Sequence, residues 1–82
     1  MEVVNYTVKI NPAAEGGYFA EVPALPGCFT QGQTLEEVTA MAREAIESYL
    51  AALLRRGEPF PVEKPAKRGY AFPLTVRAPK LL

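Results

Sequence analysis

Apolar and polar residues alternate from the start of the chain. Over residues 3–10, Val4, Tyr6, Val8 and Ile10 fall on one side and Val3, Asn5, Thr7 and Lys9 on the other. A period of two rich in β-branched and aromatic residues predicts a strand with one wet face. Asn11-Pro12 ends it, and Glu15-Gly16-Gly17 is a turn signal. The alternation resumes with Tyr18, Ala20 and Val22 against Phe19 and Glu21, so the first two strands form an antiparallel hairpin. Pro23 cannot donate to a ladder, and Pro26-Gly27 predicts a tight turn, because Pro presets φ and Gly accepts positive φ. Cys28 to Gln31 is then a short third strand, which Gly32 releases.

The period then changes from two to three and four. Thr34-Leu35-Glu36-Glu37 is a capping box, with Thr34 as N-cap and Glu37 three residues on. Leu35, Val38, Ala42, Ala45, Ile46, Tyr49 and Leu53 form one apolar stripe, and Arg43 and Glu47 are spaced to pair on the outer side. Arg55, Arg56, Gly57 and Pro59 are stop signals. Residues 49–54, YLAALL, are apolar all round. Met41, Leu50 and Leu54 therefore call for a second covering surface, either the returning C-terminal segment or another subunit. Three prolines and several charges over residues 58–69 predict a loop, spanning 61–69. Tyr70, Phe72, Leu74 and Val76 alternate as a last strand over 70–76, which Pro73 confines to a sheet edge or a bulge, and 77–82 is a tail.

The predicted order is β-β-β-α-β in a single domain, residues 1–82: an α+β fold with a small antiparallel sheet and one long helix on one face. Eighty-two residues bury only a modest core, which favours a homo-oligomer, a dimer or a tetramer. No apolar run spans a bilayer and residues 1–10 lack signal-peptide features, so a cytoplasmic location without membrane association is expected.

Composition narrows the chemistry. The chain has no His and no Asp, and a single Cys. The usual zinc sets and a Ser-His-Asp triad cannot be assembled within it, and Cys28 has no imidazole to activate it. No metal or cofactor is expected. The zero net charge conceals a division: residues 1–54 hold seven Glu against Lys9 and Arg43, whereas residues 55–82 hold seven Arg and Lys against Glu58 and Glu63. An acidic body suits a basic partner, and a basic C-terminal third suits nucleic acid or an acidic surface. The exposed turns, Glu15-Gly16-Gly17, Leu25-Pro26-Gly27 and Gln31 with Gln33, are candidate partner contacts. Glu21 and either Glu36 or Glu37 are the carboxylates that a nuclease would need to bring together, against their plainer roles as an outward strand residue and helix capping. Tyr6, Tyr18, Phe19 and Phe29 are read as core and cross-strand residues, with base stacking as the alternative.

The stretch GGY, three residues, then VPALPGCFTQGQTLEE, preceded by Tyr6-Thr-Val-Lys-Ile10 and followed by a helix ending near Gly57, resembles the HicB-like antitoxin family from residue 4 to about 61. The resemblance implies a degenerate RNase H-like sheet with one helix. It also implies a non-enzymatic antitoxin that binds and occludes a small basic HicA-type toxin, a ribonuclease acting on mRNA. Full-length members carry a C-terminal ribbon-helix-helix or helix-turn-helix domain, and no second helix is visible here after residue 61. An orphan member binding nucleic acid through its basic third, or a vestigial nuclease, are the alternatives.

Overall fold

The computed structural model describes residues 3–63 and 71–79. Four strands and one helix follow in the order β1 (Val3–Pro12), β2 (Tyr18–Glu21), β3 (Phe29–Gly32), α1 (Leu35–Arg55) and β4 (Ala71–Arg77). The sheet is antiparallel, ordered β3-β2-β1-β4, with α1 packed on one face. This is the α+β fold expected. β1 runs two residues beyond the predicted end and pairs Pro12 with Tyr18.

The inner face of the sheet carries the predicted set. Tyr6, Val8, Ala20, Val22, Leu74 and Val76 are buried under the helix. α1 meets them with Val38, Ala42, Ile46, Leu50 and Leu53, and each large aliphatic side chain is worth roughly 1.5–3 kcal/mol when fully buried. Leu50 is wholly buried in its own core, which corrects the expectation that another subunit covers it. Leu35 is 54% exposed, although it falls at the right angle for the buried stripe. It is the first residue of the helix, a full turn before α1 reaches its first buried residue, Val38.

Both helix ends are closed by local bonds. The Glu37 N–H donates to Thr34 Oγ1 at 3.0 Å, and the Gln33 N–H donates to Glu37 Oε1 at 3.0 Å. At the other end Gly57 N–H reaches the Leu54 carbonyl and Glu58 N–H the Leu53 carbonyl, the paired bonds of a Schellman motif. Arg43 does not pair with Glu47. It donates to the Thr75 carbonyl of β4 at 2.5 Å, and Arg56–Glu58, 2.8 Å apart, is the ion pair found among the described residues.

β1 is longer than its neighbour on one side. β2 pairs only with Lys9 to Pro12, whereas β4 pairs with Val3 to Lys9. The segment after the helix occupies the space this leaves. The Glu63 carboxylate accepts from both the backbone N–H and the hydroxyl of Thr7, and the Tyr6 hydroxyl donates to the Pro61 carbonyl at 2.9 Å. Phe60 packs onto the core from the same segment. Burial, reinforced by the Glu63 charge, pushes the Tyr6 hydroxyl above its ordinary pKa of 10.0. Because the Thr7 N–H turns toward Glu63, the opposed pair Thr7–Pro73 exchanges no ladder bonds. The missing N–H of Pro73 therefore costs the sheet nothing, and β4 is an edge strand, as a strand containing proline should be.

Candidate functional site

The three predicted contact turns do not form one surface. In the β2–β3 hairpin Tyr18 faces Gly32 and Glu21 faces Phe29. The Glu15–Gly17 turn and the Gln31–Gln33 segment therefore meet at one end, and the Leu25–Gly27 turn lies at the other.

At the first end the β1–β2 turn is held by Gly16 N–H to the Ala13 carbonyl and Ala13 N–H to the Gly17 carbonyl. Gly17 lies against β3 so closely that a Cβ there would stand 2.7 Å from the Gly32 carbonyl oxygen. A Cβ on Gly32 would in turn meet the Val38 backbone nitrogen at 2.7 Å. These glycines let turn, strand and helix start stack in close contact. Gly17 is thus half-buried in the packing, while Glu15, Gly16, Gln31 and Gln33 remain exposed. Around them is a recess of about 600 Å³ lined by Glu15, Gly16, Tyr18, Gln31, Gln33 and Glu37, among others. Its polar side chains are carboxylates, carboxamides and a phenol. Glu36 shares the first helical turn with Glu37, where the helix dipole favours anions, but it lines a separate groove with Leu35, Thr39, Ala40 and Arg43.

At the second end Leu25 is a core residue, wholly buried, and is not available to a partner. The Leu25 N–H donates to the Val22 carbonyl and the Cys28 N–H to the Leu25 carbonyl, both at 2.9 Å. Pro26 and Gly27 are the central residues of this turn, and Gly27 takes the φ of 82° that only glycine adopts freely. Cys28 is buried beside it, and burial raises its thiol pKa above the ordinary 9.0, which opposes the reactive thiolate.

The remaining predicted residues are scattered. Met41 is 37% exposed and Leu54 half-buried, but they lie thirteen residues apart on α1, about 20 Å along the axis. Thirteen steps of about 100° also turn them to different sides of the helix, so they make no common patch. Glu21 lies on the outer sheet face beyond the far end of the hairpin from Glu37, which caps the helix on the inner side. The two carboxylates do not converge, and among the described residues no group of three acidic or Cys side chains does. Of the basic C-terminal third, Lys64, Lys67, Arg68 and Lys80 lie outside the described residues. Sequence reasoning missed Phe19 and Phe29 as surface residues: they are 42% and 67% exposed on the face of the sheet away from the helix.

A single antiparallel sheet backed by one helix, with a recess framed by turns at one end, is a small α+β fold. Comparison with known proteins agrees. The family described as the HicB-like antitoxin of bacterial toxin–antitoxin systems matches residues 6–72, and the chain belongs to that family. A UPF0150 protein of Thermoplasma acidophilum is 45% identical over 58 residues, 71% of this chain and 84% of that one. Antitoxin HicB 1 of Photorhabdus laumondii is 34% identical over 80 residues, 96% of this chain but 52% of the antitoxin, so the chain spans about half that protein's length. Among solved structures, the N-terminal domain of the Burkholderia pseudomallei antitoxin HicB superposes with a TM-score of 0.69 at 21% identity, covering 94% of this chain and all of that one. A chain of the HicA3–HicB3 toxin–antitoxin complex gives 0.62 at 24% identity, covering 94% and 100%. At these identities the structures establish the shared fold. No helix among the described residues is long and apolar enough to cross a membrane.

Proposed function

We propose that this chain is an antitoxin that neutralises a small, basic, mRNA-cleaving toxin of the HicA type by covering the toxin's RNA-binding surface, without chemistry of its own. The observation that carries this reading is the exposed acidic end of the molecule. Glu15 and Glu37 line one recess, Gln31 and Gln33 supply donors and acceptors, and no Lys or Arg lines it. A protein that must bind RNA phosphates needs a positive surface, and such a surface finds its electrostatic complement here. Family membership and the likeness to the antitoxin fold of a toxin–antitoxin complex support the same reading.

The test is direct. A HicA-type toxin, purified separately, should bind this chain by titration calorimetry and lose its RNA-cleaving activity in proportion to the chain added. The substitutions Glu15→Gln and Glu37→Gln together should slow association and make it less salt-sensitive, with little change in stability, because both side chains are exposed and Gln can still close the capping box. A toxin that cleaves RNA undisturbed by an excess of the chain would refute the proposal.

A further inference from the structure

The outer face of the sheet contains two features that the recess does not explain. Phe19 and Phe29 are 42% and 67% exposed, and Phe29 is among the most exposed large apolar side chains described. They are diagonal neighbours: Phe19 faces Gln31 across the β2–β3 ladder and Glu21 faces Phe29. Gln31 belongs both to this face and to the lining of the recess, so the aromatic pair and the acidic pocket form one continuous surface. Glu15 and Glu37 stand at its recess end, Glu21 lies beside Phe19 and opposite Phe29, and Lys9 stands opposite Glu21 on the β1 side.

We infer that the outer face of the β2–β3 hairpin is the apolar anchor of the partner interface, with Phe19 and Phe29 as its central contacts and a basic, arginine-bearing protein surface as its occupant. The inference rests on the antitoxin reading and extends it to a surface that reading does not include. Protein interfaces concentrate their energy in a few large side chains ringed by polar ones, and this face has that arrangement. Arginine matches both halves at once, because its guanidinium stacks on aromatic faces and pairs bidentately with carboxylates. A single-stranded nucleic acid would also stack on the rings, but its phosphates would run against Glu15, Glu21 and Glu37. A second copy docked across a two-fold axis would bring the same glutamates against their counterparts. Two four-residue strands also present a patch only about 13 Å long and about 10 Å wide, far short of the roughly 800 Å² per partner of a stable complex unless the recess is included.

The experiment compares the full chain with Phe29→Ser, with the double variant Phe19→Ser/Phe29→Ser and with Phe29→Lys. It measures affinity for the separately purified HicA-type toxin, sedimentation velocity of the chain alone, and binding of a labelled single-stranded RNA at low salt. The expected result is wild-type toxin binding weakened at least about tenfold by Phe29→Ser, and more by Phe29→Lys, which sets a charge against a basic partner, with denaturation midpoints preserved. Undiminished toxin binding by well-folded Phe29→Lys would overturn the inference and leave the antitoxin reading standing. A wild-type chain that does not bind toxin at all would overturn both. Loss of self-association, or of RNA binding, with toxin affinity unchanged would assign the face to a second copy or to nucleic acid and so reject the inference.

Discussion

The two turns that bound the β2–β3 hairpin use similar residues for opposite ends. Each is punctuated by glycine at positive φ, and each looks in sequence like an exposed loop on a rigid scaffold. The Leu25–Cys28 turn points its first and last side chains into the core, so its exposed Pro26-Gly27 tip is the outside of a fastening. The Glu15–Gly17 turn places no large side chain inside. It is held from below by contact with β3, and its carboxylate and backbone are left at the mouth of a recess. A loop is free to serve a partner when the fold does not also need its side chains.

The contrast can be broken most forcefully at Leu25. Leu25→Ala should destabilise the chain by about 2–5 kcal/mol, the cost of a cavity in a small core, measured by urea denaturation. Gly17→Ala should come next, at roughly 2–4 kcal/mol, because positive φ and overpacking against the Gly32 carbonyl add together. Gly27→Ala sharpens the comparison: its φ is similar, but nothing lies within 4 Å of the new Cβ, so about 1 kcal/mol is expected. Equal losses at the two glycines would show that Gly17 is not pinned against β3.

The smallest effect concerns pH. Burial favours the neutral Cys28 thiol, so the folded chain holds that proton more tightly than the unfolded one. The resulting stability is complete below the unfolded value, near 9.0, and is lost as pH rises through the raised folded value. Tyr6 acts in the same direction from 10.0 upward. Urea midpoints should therefore be level near neutrality and decline in alkali, and Cys28→Ala should flatten the earlier part of that decline. A midpoint that rises above pH 9 would contradict this assignment.

What could be read in the sequence was local. The capping box is a contact between residues three and four apart, and its bonds are present between Thr34, Gln33 and Glu37. Alternation correctly sorted Ala20 and Val22 from Phe19 and Glu21, but alternation says only that a strand has two faces. Whether the second face is covered depends on how many layers the fold has, and alternation alone therefore cannot separate an exposed Phe29 from a packing residue. Helical angle misled in the same way at both ends of α1. Leu35 has the angle of the buried stripe without anything to meet, and Leu50 lies within reach of the chain's own sheet. The long-range pairing of Glu63 with Thr7 spans 56 residues and leaves no periodic trace. Of the site, the individual turns were visible, whereas their separation to opposite ends of a hairpin follows from strand register.

The stretch from Phe60 to Glu63 acts as a gasket. It seals the half of β1 that β2 is too short to reach, using one carboxylate where a neighbouring strand would offer a row of carbonyls. Losing that carboxylate would lay bare the Thr7 amide, and unpaired amides along a strand invite pairing between molecules. Fragments for solution work should accordingly retain Glu63, and Glu63→Ala in the intact chain should raise its tendency to precipitate on concentration.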